Sequence, residues 1–141
     1  PYAMATLNGG SSGTTITAAW TDITNYTSSE SIIMTANEVT GEIAVTQAGV
    51  YTAYINIVVT FDDIGATSEF LYARMVGDNG YVGVTMPFSI ARNGEGASLY
   101  PSFTGTIPAE NYKLQVSSSV DLTNVVYSFT GMTLEAKKLS F

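Results

Sequence analysis

The chain has 141 residues, 45% apolar and only 12% charged, with a net charge of −7 and neither Cys nor His. An acidic chain whose five basic residues do not cluster beyond the pair Lys137 and Lys138 is not expected to bind nucleic-acid phosphate. Without Cys or His there is no disulfide framework, no Ser/His/Asp or Cys/His catalysis and no His-based metal centre. No run of 18 apolar residues stands in the sequence, so no membrane insertion by a helix is expected. A length of this order fits one domain that buries about two thirds of its unfolded surface.

Residues 1–13, opening PYAM without an initiator Met at position 1, read as an N-terminal extension, partly vector-derived, ahead of a single domain over 14–141. Apolar alternation predicts strands at Thr15 to Ile23, at Ser31 to Met34 and, after the turn sequence NEVTG, at Glu42 to Thr46. The longest strand runs from Gly49 to Phe61. Tyr51, Ala53, Ile55, Ile57, Val59 and Phe61 would share its core face, because alternate side chains leave a strand on opposite sides. The other face, Val50, Thr52, Tyr54, Asn56, Val58 and Thr60, is half apolar and carries no charge.

Asp62, Asp63 and Gly65 then read as a turn, since Asp caps its own backbone and Gly tolerates positive φ. Phe70 to Met75 is the next strand, closed by the tight turn Asp78, Asn79, Gly80. The segment from Tyr81 carries Pro87, which has no ladder donor and puts its strand at an edge or bulge. After the RNGEG turn come a strand containing Pro101, the strand YKLQVSSSV, and a last one from Val125 to Leu139 with Gly131 as its bulge. Eight strands plus a short segment, with no helical periodicity, predict an all-β antiparallel jelly-roll sandwich of about eight to ten strands.

With this order the sequence resembles the C1q/TNF-like superfamily of jelly rolls. The resemblance rests on Gly49 and Tyr51 opening the long inner strand, on Phe129, Thr130 and Gly131 near the start of the last strand, and on Trp20 with TDITNYT at the first strand. It covers roughly Thr14 to Leu139. PAENYKL stands where many members carry a Gly-Asp pair, and there is no collagen stalk in the chain. The Ser/Thr-rich, Cys-free, His-free composition is similar to versions of the fold on bacteriophage virions. The resemblance implies a homotrimer in which one sheet of each protomer packs on its neighbours around a threefold axis. Tyr54, Asn56 and Val58, with Tyr127 and Phe129 of the last strand, are then expected at the trimer contact. The alternative is that both faces of the long strand are buried within one monomer.

Only carboxylates remain as acid or base, and Asp62, Asp63, Glu69, Asp78, Glu95, Glu110 and Asp121 fall nearly all in turns, so no enzyme is expected. Asp62 with Asp63, and Asp78 with Asn79, offer the hard oxygens that Ca²⁺ takes, without the spacing of a calcium loop; no other cofactor is expected. Tyr2, Tyr26, Tyr81, Tyr100 and Tyr112 stand near predicted strand ends or turns, and Tyr26, Asn79, Tyr81 and Tyr100 are candidate contacts to a receptor or partner. The functional expectation is a non-catalytic module at a virion surface, a trimeric fibre or spike head that attaches to a receptor, or a capsid decoration. Its partners would be its own copies, other virion proteins, or a host-surface glycan or protein. The alternatives are a monomeric carbohydrate-binding jelly roll and a secreted C1q/TNF-like ligand, which would be extracellular.

Overall fold

A computed structural model describes residues 4–31, 33–61, 70–83, 85–89 and 96–139. In chain order the strands among them are β1 Met4–Asn8, β2 Thr21–Asp22, β3 Thr27–Ser29, β4 Met34–Asn37, β5 Glu42–Val45, β6 Gly49–Thr60, β7 Phe70–Gly77, β8 Met86–Ser89, β9 Gly96–Leu99, β10 Ser102–Ile107, β11 Asn111–Ser118 and β12 Val126–Leu139. Two antiparallel sheets form. The first runs β10-β6-β12-β1-β3, with β9 also on β6, and the second runs β4-β5-β11-β7-β8, with β2 on β11. The chain passes repeatedly from one sheet to the other between consecutive strands, so that most neighbours within a sheet, such as β6 with β12 or β11 with β7, are distant in sequence, which is the wrapping of a jelly roll.

The core lies between the sheets and is filled by the alternation read from the sequence. Tyr51, Ala53, Ile55, Ile57 and Val59 of β6 point inward with Met132, Leu134 and Ala136 of β12, against Leu71, Ala73 and Met75 of β7 and Leu114 and Val116 of β11. Each fully buried large aliphatic contributes roughly 1.5–3 kcal/mol, so these rows dominate stability. Pro87 sits in β8, at the end of the second sheet's path, where the missing N–H costs no inner ladder bond.

The structure corrects several boundaries. Residues 1–13 are not all extension: β1 lies inside the first sheet between β12 and β3, and Ala5 and Leu7 are fully buried. Thr15 to Ile23 is not one strand. Ile16 and Ile23 are buried, which explains the apolar signal, but Ile16 makes only an isolated bridge to Leu122. Thr17 Oγ1 accepts from the Ala19 N–H and the Thr21 hydroxyl donates to the Ala19 carbonyl, so local bonds engage groups that a ladder would need. Ser31 and Met34, expected in one strand, pair with each other across a tight turn. The Pro101 strand divides into β9 and β10, both on β6, with the Pro101 carbonyl accepting from Ile55 N–H between them.

Candidate functional site

The outward face of the first sheet is built by the even positions of β6 and their cross-strand neighbours. Tyr54 stands between Ser102 of β10 and Thr133 of β12, and Thr133 lies beside Thr6 of β1, their hydroxyls 3.1 Å apart. Thr52 lies beside Thr104, hydroxyls 2.7 Å apart, and Val58 lies between Ser98 and Ser128. Among the described residues of this face, charge enters in the row beside Tyr54 and towards the Gly49 end, where Lys137 pairs with Glu135 at 2.6 Å and Lys138 stands opposite Val50. Tyr54 remains 45% exposed on this hydroxyl-lined face, while Asn56 and Val58 are half-buried.

The β12 bulge divides the two aromatics expected on this face. Ser128 pairs with Val58 and Gly131 with Asn56, so β12 spends one residue more than β6 over that interval. An extra residue reverses which side each chain position faces. Tyr127 therefore turns inward, packs on the core and shares a hydrogen bond with Ser12, which corrects its placement at an interface. Phe129 turns outward and is 81% exposed. Its φ of 48° is left-handed, a region that costs a residue with a Cβ about 1–2 kcal/mol. The strain is held by the buried Thr130, whose carbonyl accepts from both Gly9 and Gly10 N–H at 2.8 and 3.1 Å.

The other candidates scatter. Tyr26, expected as a contact residue, is 5% exposed, because Gly10 and Gly41 leave the slot that its ring fills; a Cβ at either would strike that ring. Burial, with Tyr127 and Asp22 nearby, pushes its phenol well above the ordinary range. Tyr112 is likewise buried rather than exposed, and Tyr81 packs edge-on against it at 5.5 Å. Beside them Asn79 N–H donates to Glu110 Oε1 at 2.7 Å. Tyr100 is 69% exposed over a small cleft shared with Met86, Pro87 and Phe88.

Asp78 uses both carboxylate oxygens to accept from Asn111, which closes the turn rather than offering a free ligand set. Among the described residues no three acidic groups converge as metal ligands, and Asp62 and Asp63 lie outside those residues.

Two features escaped the sequence reading. Glu30, Glu38 and Glu42 line an open groove of about 720 Å³ beside β4 and β5, each accepting a local hydrogen bond. On the second sheet Arg74 lies 4.0 Å over the Trp20 ring and donates to Gln115, which donates to Asp22, the ion-pair partner of Lys113 at 2.9 Å. Partners distant in sequence create the second feature, and the groove forms only where β4 folds back on β5, so no single-strand motif announces either.

No family model matches the chain, and no curated protein matches it in sequence. Its fold has clear counterparts among solved structures. A murine APRIL structure at pH 5.0 covers 97% of this chain and 100% of its own, with a TM-score of 0.67 at 12% identity. The murine APRIL structure at pH 8.0 gives a TM-score of 0.65 at 11% identity, with the same coverage. The chain has the TNF-like jelly-roll fold. Eiger TNF from S. frugiperda agrees, with a TM-score of 0.59 at 14% identity over 97% of this chain and 94% of that one. At these identities the likeness is one of fold and says nothing of a virion. Within the TNF-like jelly roll, the Tyr54 face belongs to the sheet that also holds both long strands, β6 and β12.

Proposed function

We propose that the chain is a non-catalytic recognition module that assembles as a homotrimer through the outward face of its first sheet. The carrying observation is that face itself: among the described residues, a broad surface of Ser and Thr around half-exposed Tyr54, whose charges are confined to the Glu135–Lys137 ion pair in the next row and Lys138 beyond it. Depletion of charge around an aromatic residue is the composition of a covered interface. The TNF-like fold supports the reading, because the C1q/TNF resemblance implies that a sheet of each protomer faces the threefold axis. Nothing about the face requires a reacting group.

A threefold module presents three copies of each turn, so weak contacts multiply through effective concentration. Display on a virion, as a fibre or spike head or as a capsid decoration, is the setting that the hydroxyl-rich composition favours. A second reading, an extracellular ligand with the same assembly, is favoured by the fold likeness to murine APRIL and Eiger TNF. Light scattering tests the assembly that both share. A mass three times the 14.9 kDa protomer, reduced to one protomer by Tyr54→Lys, is expected. A wild-type monomer would overturn it.

A further inference from the structure

The last row of the outward face ends in a recess. Asn8 of β1 pairs with Gly131 of β12, and Gly131 pairs with Asn56 of β6, so two carboxamides flank a residue with no side chain. Neighbouring strands lie about 4.8 Å apart, which separates the two Asn backbones by roughly 10 Å. Gly131 must remain Gly, because a Cβ there would strike the Leu7 carbonyl. Gly9, Asn25, Tyr26, Thr27 and Phe129 complete the wall, around a volume of about 410 Å³. That volume lies within the range of about 300–1,000 Å³ typical of small-ligand sites.

The Thr27 hydroxyl is committed to the Asn8 carbonyl at 3.3 Å, but two carboxamides of the recess are not engaged. Neither the Asn8 nor the Asn56 carboxamide has a hydrogen-bond partner among the described residues. The Asn25 amide donates to Thr24, which leaves its carbonyl oxygen to accept. Asn25, at φ 60°, and Phe129, at φ 48°, are both held left-handed on the rim. Asn tolerates that region, so the strain sits at Phe129, and an exposed aromatic held in a strained conformation on the rim of a recess is the pattern of a ligand clamp.

We propose that this recess is a subsite for a neutral saccharide. Carboxamides offer a donor and an acceptor each, matching the paired donor and acceptor character of sugar hydroxyls. The Phe129 ring offers an apolar plate for the C–H face of a pyranose. Among the described residues none that lines the recess is charged, so an anionic or cationic ligand would find no counter-charge from them. The recess lies at the end of the face proposed for the trimer, so the inference requires that this last row stay outside the contact around Tyr54; each protomer supplies the whole recess.

The test is amide NMR of the full chain titrated with glucose, galactose, mannose and N-acetylglucosamine, with light scattering on the same samples. At least one sugar should shift the Asn8 and Asn56 side-chain amides saturably. Asn8→Ala should weaken that binding tenfold or more. Phe129→Gly should abolish it while raising Tm, because Gly adopts the same φ without strain; a merely structural Phe129 would not separate the two readouts. Three results would overturn the subsite: no sugar saturates, Phe129→Gly binds as tightly as the wild type, or Phe129→Gly lowers the assembly mass and so assigns the ring to a second copy. The wild-type mass alone decides the trimer, so the two readings fail separately.

Discussion

Tyr51 and Tyr112 make the same bond from opposite sheets: each hydroxyl donates to the carbonyl four residues upstream, Tyr51 to Gln47 at 2.6 Å and Tyr112 to Pro108 at 2.5 Å. Both rings are buried just inside the start of a strand, so each side chain joins the core to the turn that leads into it. Tyr51→Phe and Tyr112→Phe should each cost about 1–2 kcal/mol, since packing survives while a carbonyl loses its donor. Thermal unfolding should then show a Tm lower by roughly 3–6 °C for either variant. An unchanged Tm in both would mean that the hydroxyls hold nothing.

Two strand glycines should respond oppositely to the same substitution. At Gly131 a Cβ would meet the Leu7 backbone, which cannot swing aside as a side chain can, and Gly131→Ala should destabilise by about 2 kcal/mol or more. At Gly105 of β10 a Cβ meets nothing within 4 Å. Gly105→Ala should be neutral or stabilising by about 0.5–1 kcal/mol, because it lowers the entropy of the unfolded chain. Denaturant midpoints of the two variants check the contrast, and equal losses would contradict it.

Acid should weaken the second sheet through Asp22. Burial opposes ionisation of this carboxyl, but the hydrogen bond from Gln115 and the bond and charge of Lys113 prevail and hold it below its ordinary value. A depressed carboxyl contributes stability above its unfolded value of about 3.9, and that contribution disappears as pH falls through the lower folded value. Stability should therefore decline below about pH 4, and Asp22→Asn should start less stable but decline less steeply. Unfolding curves at pH 3 and pH 6 measure the difference. The same slope in both proteins would exonerate Asp22.

How much of this was legible depends on whether a signal was local. The β6 core face could be read directly, because period two along twelve residues has no other simple source. The NEVTG turn was equally plain, and Gly41 adopts φ 76° there. Ile16 misled, since its burial comes from a loop crossing the core rather than from a strand. Tyr127 misled for another reason. Gly131 marked the bulge correctly, but the consequence, that one added residue sends Tyr127 and Phe129 to opposite sides, needs the register of β6 beside it. Tyr26 was unreadable because the two glycines that make its slot lie 16 residues before it and 15 after it. The Asn8, Gly131, Asn56 row joins three strands and has no signature in any one of them.

Tyr26 should answer the Phe substitution with the opposite sign to Tyr51. Its hydroxyl is buried without a hydrogen-bond partner among the described residues, so it carries a desolvation cost that nothing returns. Tyr26→Phe keeps the ring in its slot and removes that cost, and should stabilise the protein by about 1 kcal/mol at neutral pH. The alkaline limb gives an independent check. Burial raises the folded phenol far above its unfolded value of about 10, so the protein keeps this stability below pH 10 and loses it as pH rises beyond, where the unfolded chain ionises and the folded one does not. Tyr112 is shifted in the same direction, first by burial and then by Glu110. Stability should fall above pH 10 in the wild type and fall less steeply in Tyr26→Phe, with tyrosinate absorbance rising together with unfolding. Absorbance that climbs near pH 10 in the folded protein to the full tyrosine count would show that these rings are open to solvent.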